Sequence, residues 1–525
     1  MRRLFRPFLW LLFALYLGFS ALTLALRFWV MPELPRYQPE IEALASRVLG
    51  TNLSLGRLEA RWSGLNPGVS LHDVRIFNAE GEVALRLTRV DGVLSWRSLL
   101  SLWRGMPTFT LLSLEKPELL IQRDREGKLF VAGLPIPARE EDGENGAALQ
   151  WLLAQQRIRI HDARIVWRDD LHAAPPLALQ SASLEWRNRG RRHRFGLTAR
   201  PPAHLAAALD VRGELSDDTA DTANWRTWRG QIYTRLEAAN LPEILPLLKQ
   251  NGLDAAGLQI ERGRGALRLW AQRGERGWQG TGDVALADAR LRLGADLPML
   301  EVSRLQGRLQ AARSAASGLV SWRVASRKLT LEARLPQGDA IGIAGLNMNS
   351  EWRARVKNAE TGLVKTASPN GEEPFPSLRA VSISLNALDL AQLARLSEAL
   401  PLPEKTRALL DRHQPQGMLR QVKAHWNQDI SLGREARKDD YGVEAAFERL
   451  AFRAADKMPG VAGLSGKIVA NAAEGKLTLE GRQAALSFPV VFAEPQFLLD
   501  RLRAQVEWRR NAKGIKVEVR SLDLV

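Results

Sequence analysis

Hydrophobic positions change their period twice along this chain. From Pro7 to Val30 they do not alternate at all: the run PFLWLLFALYLGFSALTLALRFWV has no charge between Arg6 and Arg27, which predicts one long apolar helix. From Pro39 to Leu49 the period is helical, with Ile41, Leu44, Ala45, Val48 and Leu49 on one face, Pro39 at the first helical position and Gly50 placed to stop the helix. This short amphipathic helix is expected to cap whatever follows. From Thr51 almost to Val525 the period is two, broken by Gly, Asn and Asp, which predicts strand after strand.

Three segments share one phrase: VSLHDVRIF (Val69–Phe77), IRIHDARIVW (Ile158–Trp167) and VALADARLRL (Val284–Leu293). In each, an Asp (Asp73, Asp162, Asp288) separates two apolar registers, and a one-residue insertion would flip which face is apolar. A β-bulge or tight turn at each Asp is therefore expected, in preference to acid chemistry. The spacing is irregular, which predicts reuse of a strand unit and not a fixed-period solenoid. Nine of the sixteen tryptophans are followed directly by Arg: Trp96, Trp103, Trp167, Trp186, Trp225, Trp228, Trp322, Trp352 and Trp508. In a strand such a step sends the ring to one face and the guanidinium to the other. The pattern predicts a sheet with one apolar and one basic, solvated face.

Short helices interrupt the strands at Ala148–Gln156 and inside Leu236–Gly252 and Leu385–Leu400. The last two share a strand–helix–strand layout that reads as a duplicated module. Exposed loops are expected at Ala138–Gly146, Gly213–Asn224 and Thr366–Ser377. The final GIKVEVRSLDLV still alternates, suggesting the N-terminal part of something longer.

About 20 apolar residues span a bilayer core, so the first segment reads as a transmembrane anchor facing lipid with Phe8, Leu12, Leu15, Leu22 and Leu26. Arg2, Arg3 and Arg6 predict a cytoplasmic N-terminus. A cleaved signal peptide is the rival reading, but the apolar core is too long for one and Thr23-Leu24-Ala25 is a poor cleavage site inside the run. The chain then divides into residues 1–31 (tip and anchor), 32–50 (linker and helix) and 51–525 (the β region).

The chain has no cysteine, excluding disulfides, thiolate metal sites and cysteine nucleophiles; away from the cytosol this fits a bacterial envelope better than a eukaryotic secretory route. The net charge of +16 is spread over the whole sequence without a nucleic-acid motif, so it reads as solvated strand faces, or as attraction to anionic lipid headgroups, and no nucleic-acid partner is expected. None of the seven histidines has a helical metal-site spacing. GVAGLSGK (Gly460–Lys467) fails as a phosphate loop, since Ile468 follows the lysine; Gly263 and Gly265 lack the following helix of a dinucleotide site. No cofactor, metal or catalytic residue is expected, and the chain is not read as an enzyme.

The N-terminal anchor, the helix Pro39–Leu49, the stretch LGTNLSLGRLEARWSGLNPGVSLHDVRIFN (Leu49–Asn78) and the Leu-Asp-Leu helices resemble the YhdP-type AsmA-like proteins of Gram-negative envelopes, most specifically in WSGLNP (Trp62–Pro67). The resemblance covers nearly the whole chain, although members of the family are much longer. It implies a mainly β fold, an elongated, curled antiparallel sheet forming a hydrophobic groove, anchored in the inner membrane with its bulk in the periplasm. It also implies a contribution to phospholipid transport toward the outer membrane. Roughly 25–30 strands at about 4.8 Å each would give a ribbon of about 120–140 Å. Groove-lining candidates are Trp96, Trp167, Trp186, Trp322, Trp352 and Trp508, with lipid entering near the anchor. Expected partners are phospholipid, the inner membrane and an outer-membrane or periplasmic protein at the distal end. The rival function is a structural tether or assembly factor for outer-membrane components.

Overall fold

The structure, a computed structural model, describes all residues except 1, 50–51, 78–82, 97, 99–107, 132–133, 137–150, 152–153, 217–227, 251–256, 275–276, 317–318, 336–337, 339, 356–376, 428–439, 456–457, 489–495 and 512–513. The expected loop at 138–146, most of those at 213–224 and 366–377, most of the helix at 148–156, and Trp103 and Trp225 lie outside the described residues. The chain is mainly β and forms two compact units, Met1–Leu236 and Glu237–Val525.

The first unit opens with α1 (Arg2–Ala25), which continues through a π-helical stretch (Leu26–Val30), a short turn of helix (Met31–Glu33) and a 3-10 segment (Leu34–Tyr37) into α2 (Gln38–Leu49). The linker between anchor and amphipathic helix is thus itself helical: Pro32 and Pro35 sit at helix starts, where a missing N–H costs nothing. Strands follow: β1 (Leu53–Ser54), β2 (Arg57–Ser63), β3 (Asn66–Phe77), β4 (Val83–Leu94), β5 (Phe109–Glu115), β6 (Glu118–Arg123), β7 (Leu129–Val131), β8 (Leu134–Ile136), β9 (Arg157–Asp169), β10 (Ala174–Arg189), β11 (Arg192–Arg200), β12 (Ala208–Ser216) and β13 (Arg229–Asn240), whose last residues belong to the second unit. Among the described residues pairing is antiparallel with one exception. β9 returns beside β5 and β6 and runs parallel to both, while β4 is antiparallel to both.

α2 caps β1 as expected. The Leu55 amide donates to Glu42 Oε1 at 2.8 Å, Gln38 Nε2 donates to the Leu55 carbonyl at 2.7 Å, and the Leu53 amide donates to Ser46 Oγ at 2.9 Å. Ile41 packs on the core built by Leu55, Val74, Leu87, Val90, Leu112 and Ile158.

The second unit carries α3 (Leu241–Gln250), β14 (Gln259–Gly274), β15 (Gly277–Arg292), β16 (Leu300–Ala316), β17 (Leu319–Arg334), β18 (Ala340–Arg355), β19 (Ser377–Asp389), α4 (Leu390–Leu396), α5 (Glu404–His413) and β20 (Gln416–Asn427). It closes with β21 (Asp440–Phe452), β22 (Gly460–Asn471), β23 (Glu474–Ser487), β24 (Gln496–Asn511) and β25 (Gly514–Leu524). From β14 to β25 each strand pairs antiparallel with the next. The two strand–helix–strand modules are β13–α3–β14 and β19–α4–α5–β20, the second with one helix more than the sequence pattern suggested. Asp389 caps α4, its Oδ1 accepting from the amides of Ala391 at 2.9 Å and Gln392 at 3.2 Å. Gly263 and Gly265 are explained by packing: a Cβ at either position would come within 3.2 Å of the Leu241 side chain, which α3 lays across them.

Asp73, Asp162 and Asp288 have φ of 50°, 52° and 49°, the left-handed conformation of a bulge. In β9, Ile158 and Ile160 point inward, His161 and Asp162 are both exposed, and Ala163, Ile165 and Trp167 point inward again. The extra residue keeps one face apolar through the change of register, as the sequence phrase predicted.

Candidate functional site

Directly paired residues in a ladder share a face, so the registers can be followed from strand to strand. In the first unit one such row runs Leu58, Leu71, Val90, Leu114, Ile160, Leu184, Leu197, Val211, from β2 to β5 and then β9 to β12. Every member is Leu, Ile or Val. In the second unit a row of twelve crosses every strand from β14 to β25: Leu269, Gly282, Leu309, Ser326, Met348, Ile383, Ala424, Val443, Ala470, Gly475, Trp508, Val517. None is charged. At about 4.8 Å per strand the row is on the order of 50 Å long.

One residue over, on the opposite face, the ladder is polar and mostly charged: Arg268, Asp283, Arg308 and Arg327, then Asn347 and Ser384, then Lys423, Glu444, Val469, Lys476, Glu507 and Glu518. Arg308 Nε lies 2.6 Å from Asp283 Oδ1, Lys467 Nζ 3.0 Å from Glu444 and Arg520 Nε 3.1 Å from Glu507. The guanidinium of Arg308 holds Asp283, and Lys467 with Lys423 holds Glu444, below the usual carboxylate range. A hollow of about 600 Å³ on this face is lined by the same paired cations and anions, among them Lys423, Glu444, Lys476 and Glu507.

The apolar face is covered unevenly. Near Ala289, Val302, Ala333 and Ile341 it is sealed by Leu396 and Ala399, at and just after the end of α4. Across the bulge line it lies open: Leu309 is 39% and Val324 38% exposed although both face the apolar side. A half-buried stripe of this kind can hold hydrocarbon along its length and offers no group for bond chemistry.

Five of the six tryptophans picked out by their Trp-Arg step lie on these apolar faces. Each ring is half-buried, and Arg168, Arg187, Arg323, Arg353 and Arg509 are exposed. Trp322 and Trp352 face each other directly. Trp508 sits over Gly475, where a Cβ would come within 2.1 Å of the ring. Trp167 lies under Arg123 at 5.6 Å, at an end of the face closed by the buried Arg123–Asp169 ion pair, with Arg123 Nε 2.9 Å from Asp169 Oδ1. The Arg123 guanidinium pulls the Asp169 carboxyl down to about 2 against the cost of burial, with help from His172.

Trp186 stacks on Phe195 at 5.4 Å, and His193 stacks on Trp228 at 4.5 Å. His193 Nδ1 and Trp186 Nε1 both meet Asn188 Oδ1, at 2.6 and 2.7 Å. Sequence reasoning missed this aromatic cluster, because His193 shows no motif and reaches Trp228 only through the strand order. Trp96 differs from the other five. It lies outside the strands, against Phe19 of α1 at 4.9 Å, with Nε1 donating to the Leu65 carbonyl at 3.1 Å.

Among the anchor residues Phe8, Leu12, Leu15 and Leu22 are exposed and Leu26 is half-buried; this helical run alone among the described residues is long and apolar enough to cross a membrane. GVAGLSGK lies within β22, with Gly463 at φ 78° as a bulge and not in a phosphate-binding loop. Among the described residues no group of three or more His, Asp or Glu could hold a metal ion.

A helix long and apolar enough to cross a bilayer, joined to β-sheet with one mainly apolar and one mainly charged face, defines a class: proteins with an N-terminal apolar helix whose sheet offers apolar surface. The family model described as "YhdP protein" matches residues 1–525, and the chain belongs to that family. It is similar to the intermembrane phospholipid transporter YhdP of Escherichia coli (strain K12), with 23% identity over 517 residues, 94% of this chain and 35% of that protein. The chain therefore spans about a third of the length of the curated relative it matches. No solved structure matches the chain.

Proposed function

We propose that this chain is the membrane-anchored part of an intermembrane phospholipid transporter, held in a bacterial inner membrane by α1 with its N-terminus in the cytoplasm and its strands in the periplasm. The observation that carries this reading is the uncharged row from Leu269 to Val517, with a mostly charged ladder from Arg268 to Glu518 on the other face. An acyl CH₂ exposed to water costs about 0.8 kcal/mol, so a two-chain lipid with about 30 of them faces on the order of 24 kcal/mol when it leaves a bilayer. A continuous apolar row replaces that contact strand by strand and needs no catalytic residue, metal or cofactor.

The sign of the curated relative's activity agrees, since its name states phospholipid transport between membranes. The test is photo-crosslinking of the full-length chain in growing cells. A crosslinker at Leu309 or Val443, on the apolar row, is expected to capture phospholipid, and one at Val469, on the charged face, is not. Equal labelling at all three positions, or protein adducts alone, would move the assignment to a tether or assembly factor for outer-membrane components.

A further inference from the structure

The first unit holds two aromatic contacts between the anchor and the residues around the β2–β3 hairpin. Arg27 lies over the Trp62 ring at 5.6 Å, and Phe19 meets Trp96 edge-on at 4.9 Å. From Arg27 back to Phe19 is eight residues, about 12 Å along a helix. Leu65 lies beyond Trp62, in the turn that the Ser63–Asn66 pair closes, and the Trp96 ring that meets Phe19 also bonds its carbonyl. The β2–β3 hairpin therefore runs alongside α1 in the direction of the membrane, with Trp62 level with Arg27 and Leu65 level with Phe19. Arg27 is the first charge after the apolar run, and Arg–Trp pairs are at home at a bilayer interface. Leu65 and Trp96 then fall well inside a hydrocarbon half-layer of about 15 Å.

The chemistry of the turn suits that depth. Ser63 pairs with Asn66 around a two-residue turn whose first central residue, Gly64, has φ 63°. Its second, Leu65, is 67% exposed, a large apolar side chain at the very tip of a hairpin. In hydrocarbon every backbone polar group needs a partner, and the Leu65 carbonyl has one in the Trp96 indole N–H at 3.1 Å.

We propose that the turn Ser63–Asn66 together with Trp96 is a membrane-inserted tip, seated among the acyl chains of the leaflet from which the β-rich part of the chain emerges. The partner is the lipid leaflet itself, argued from continuity with the spanning helix. Combined with the transport reading, on which this last step rests, the tip sets the beginning of the first unit's own apolar face, at the half-buried Trp62 and Leu71, next to the leaflet, so that an acyl chain passes from lipid to strand with little exposure to water.

The absence of cysteine makes the test clean. Single variants Leu65→Cys and Ser63→Cys of the full chain are labelled with an environment-sensitive fluorophore and reconstituted into vesicles of phosphatidylcholine brominated within its acyl chains. The aqueous reference is Leu171→Cys, an exposed position at the opposite ends of these strands. The proposal expects bromolipid to quench the labels at positions 65 and 63 by half or more and to leave the label at 171 unchanged. Labels at 65 and 63 as unquenched as that at 171 would overturn it. Quenching in a protein that moves no lipid would uphold the tip and remove the transport reading; lipid movement without quenching would do the reverse.

Discussion

Ala163 on β9 faces Ala182 on β10, and each directly follows a residue with left-handed backbone, Asp162 at φ 52° and Ser181 at φ 47°. Both alanines are sealed, at 0% and 1% exposure. The relationship recurs: Asp73 precedes Val74, Asp288 precedes Ala289, Gln421 precedes Val422 and Gln483 precedes Ala484, and every second member is buried. A bulge sends two successive residues outward and bends the strand toward its other face. The next inward residue then lies in the crease, where the buried positions hold alanine or valine. The breaks between β1 and β2 and between β5 and β6 fall on the same line, with the Gly56 amide donating to the His72 carbonyl at 3.1 Å and the Lys116 amide to that of His161 at 2.8 Å.

Left-handed backbone costs an L-residue roughly 1–2 kcal/mol, least for Asp, Asn and Gly. Asp288→Gly is therefore expected to leave stability within about 0.5 kcal/mol, whereas Asp288→Val is expected to lose about 1–2 kcal/mol or more. Urea unfolding followed by tryptophan fluorescence separates the two. Equal midpoints would mean that the bulge is not held by this residue.

Ala163→Leu forces a larger side chain into the crease. Overpacking of this kind costs about 1–3 kcal/mol, and the loss should appear as a lower urea midpoint. An unchanged midpoint would show that the crease has spare room. Ala178→Leu, at a half-buried position on β10, is the comparison and should cost less.

Leu309→Glu puts a carboxylate on the open part of the apolar row, and Val469→Glu puts one on the charged face. Both positions are well exposed, at 39% and 45%, so both variants should fold with stability changes of about 0.5 kcal/mol or less. Phospholipid transfer between vesicles should fall about tenfold or more with the first, a barrier of about 1.4 kcal/mol, and stay unchanged with the second. Equal rates would argue against passage along this face.

Asp169 titrates at about 2 in the folded chain, below its ordinary 3.8, because Arg123 bonds its ionised form. A depressed folded pKa gives stability that is complete above the unfolded value and is lost as pH falls through the folded one. The pair therefore contributes about 2 kcal/mol at neutral pH, expected to disappear between about pH 4 and pH 2. Asp169→Asn should flatten the acid limb of stability against pH over that window and lower neutral stability by leaving Arg123 buried without its anion. An unaltered acid limb would assign the loss to other carboxylates.

Much of this protein was legible from local pattern alone. Apolar run length gave a helix long enough to span a bilayer, since bilayer thickness and helical rise are fixed quantities. Period-two alternation gave the strands, and Trp-Arg steps gave two chemically opposite faces, because successive strand side chains must point apart. Asp73, Asp162 and Asp288 announced their bulges, since Asp is among the few residues that tolerate left-handed backbone. Ser181, Gln421 and Gln483 adopt the same conformation without such a signal, and there the neighbouring strands impose it.

What only the tertiary structure decided is which residue stands opposite which. The sequence carries no mark that β9, besides pairing with β10, should lie parallel to β5 and β6, that α5 follows α4, or that His193 should stack on Trp228. Alternation is a property of one strand, read from adjacent residues. Register is a property of two, set by packing between positions far apart in the chain. It is register that lines up Leu269 with Val517 through ten intervening strands and turns separate greasy strands into a single apolar path.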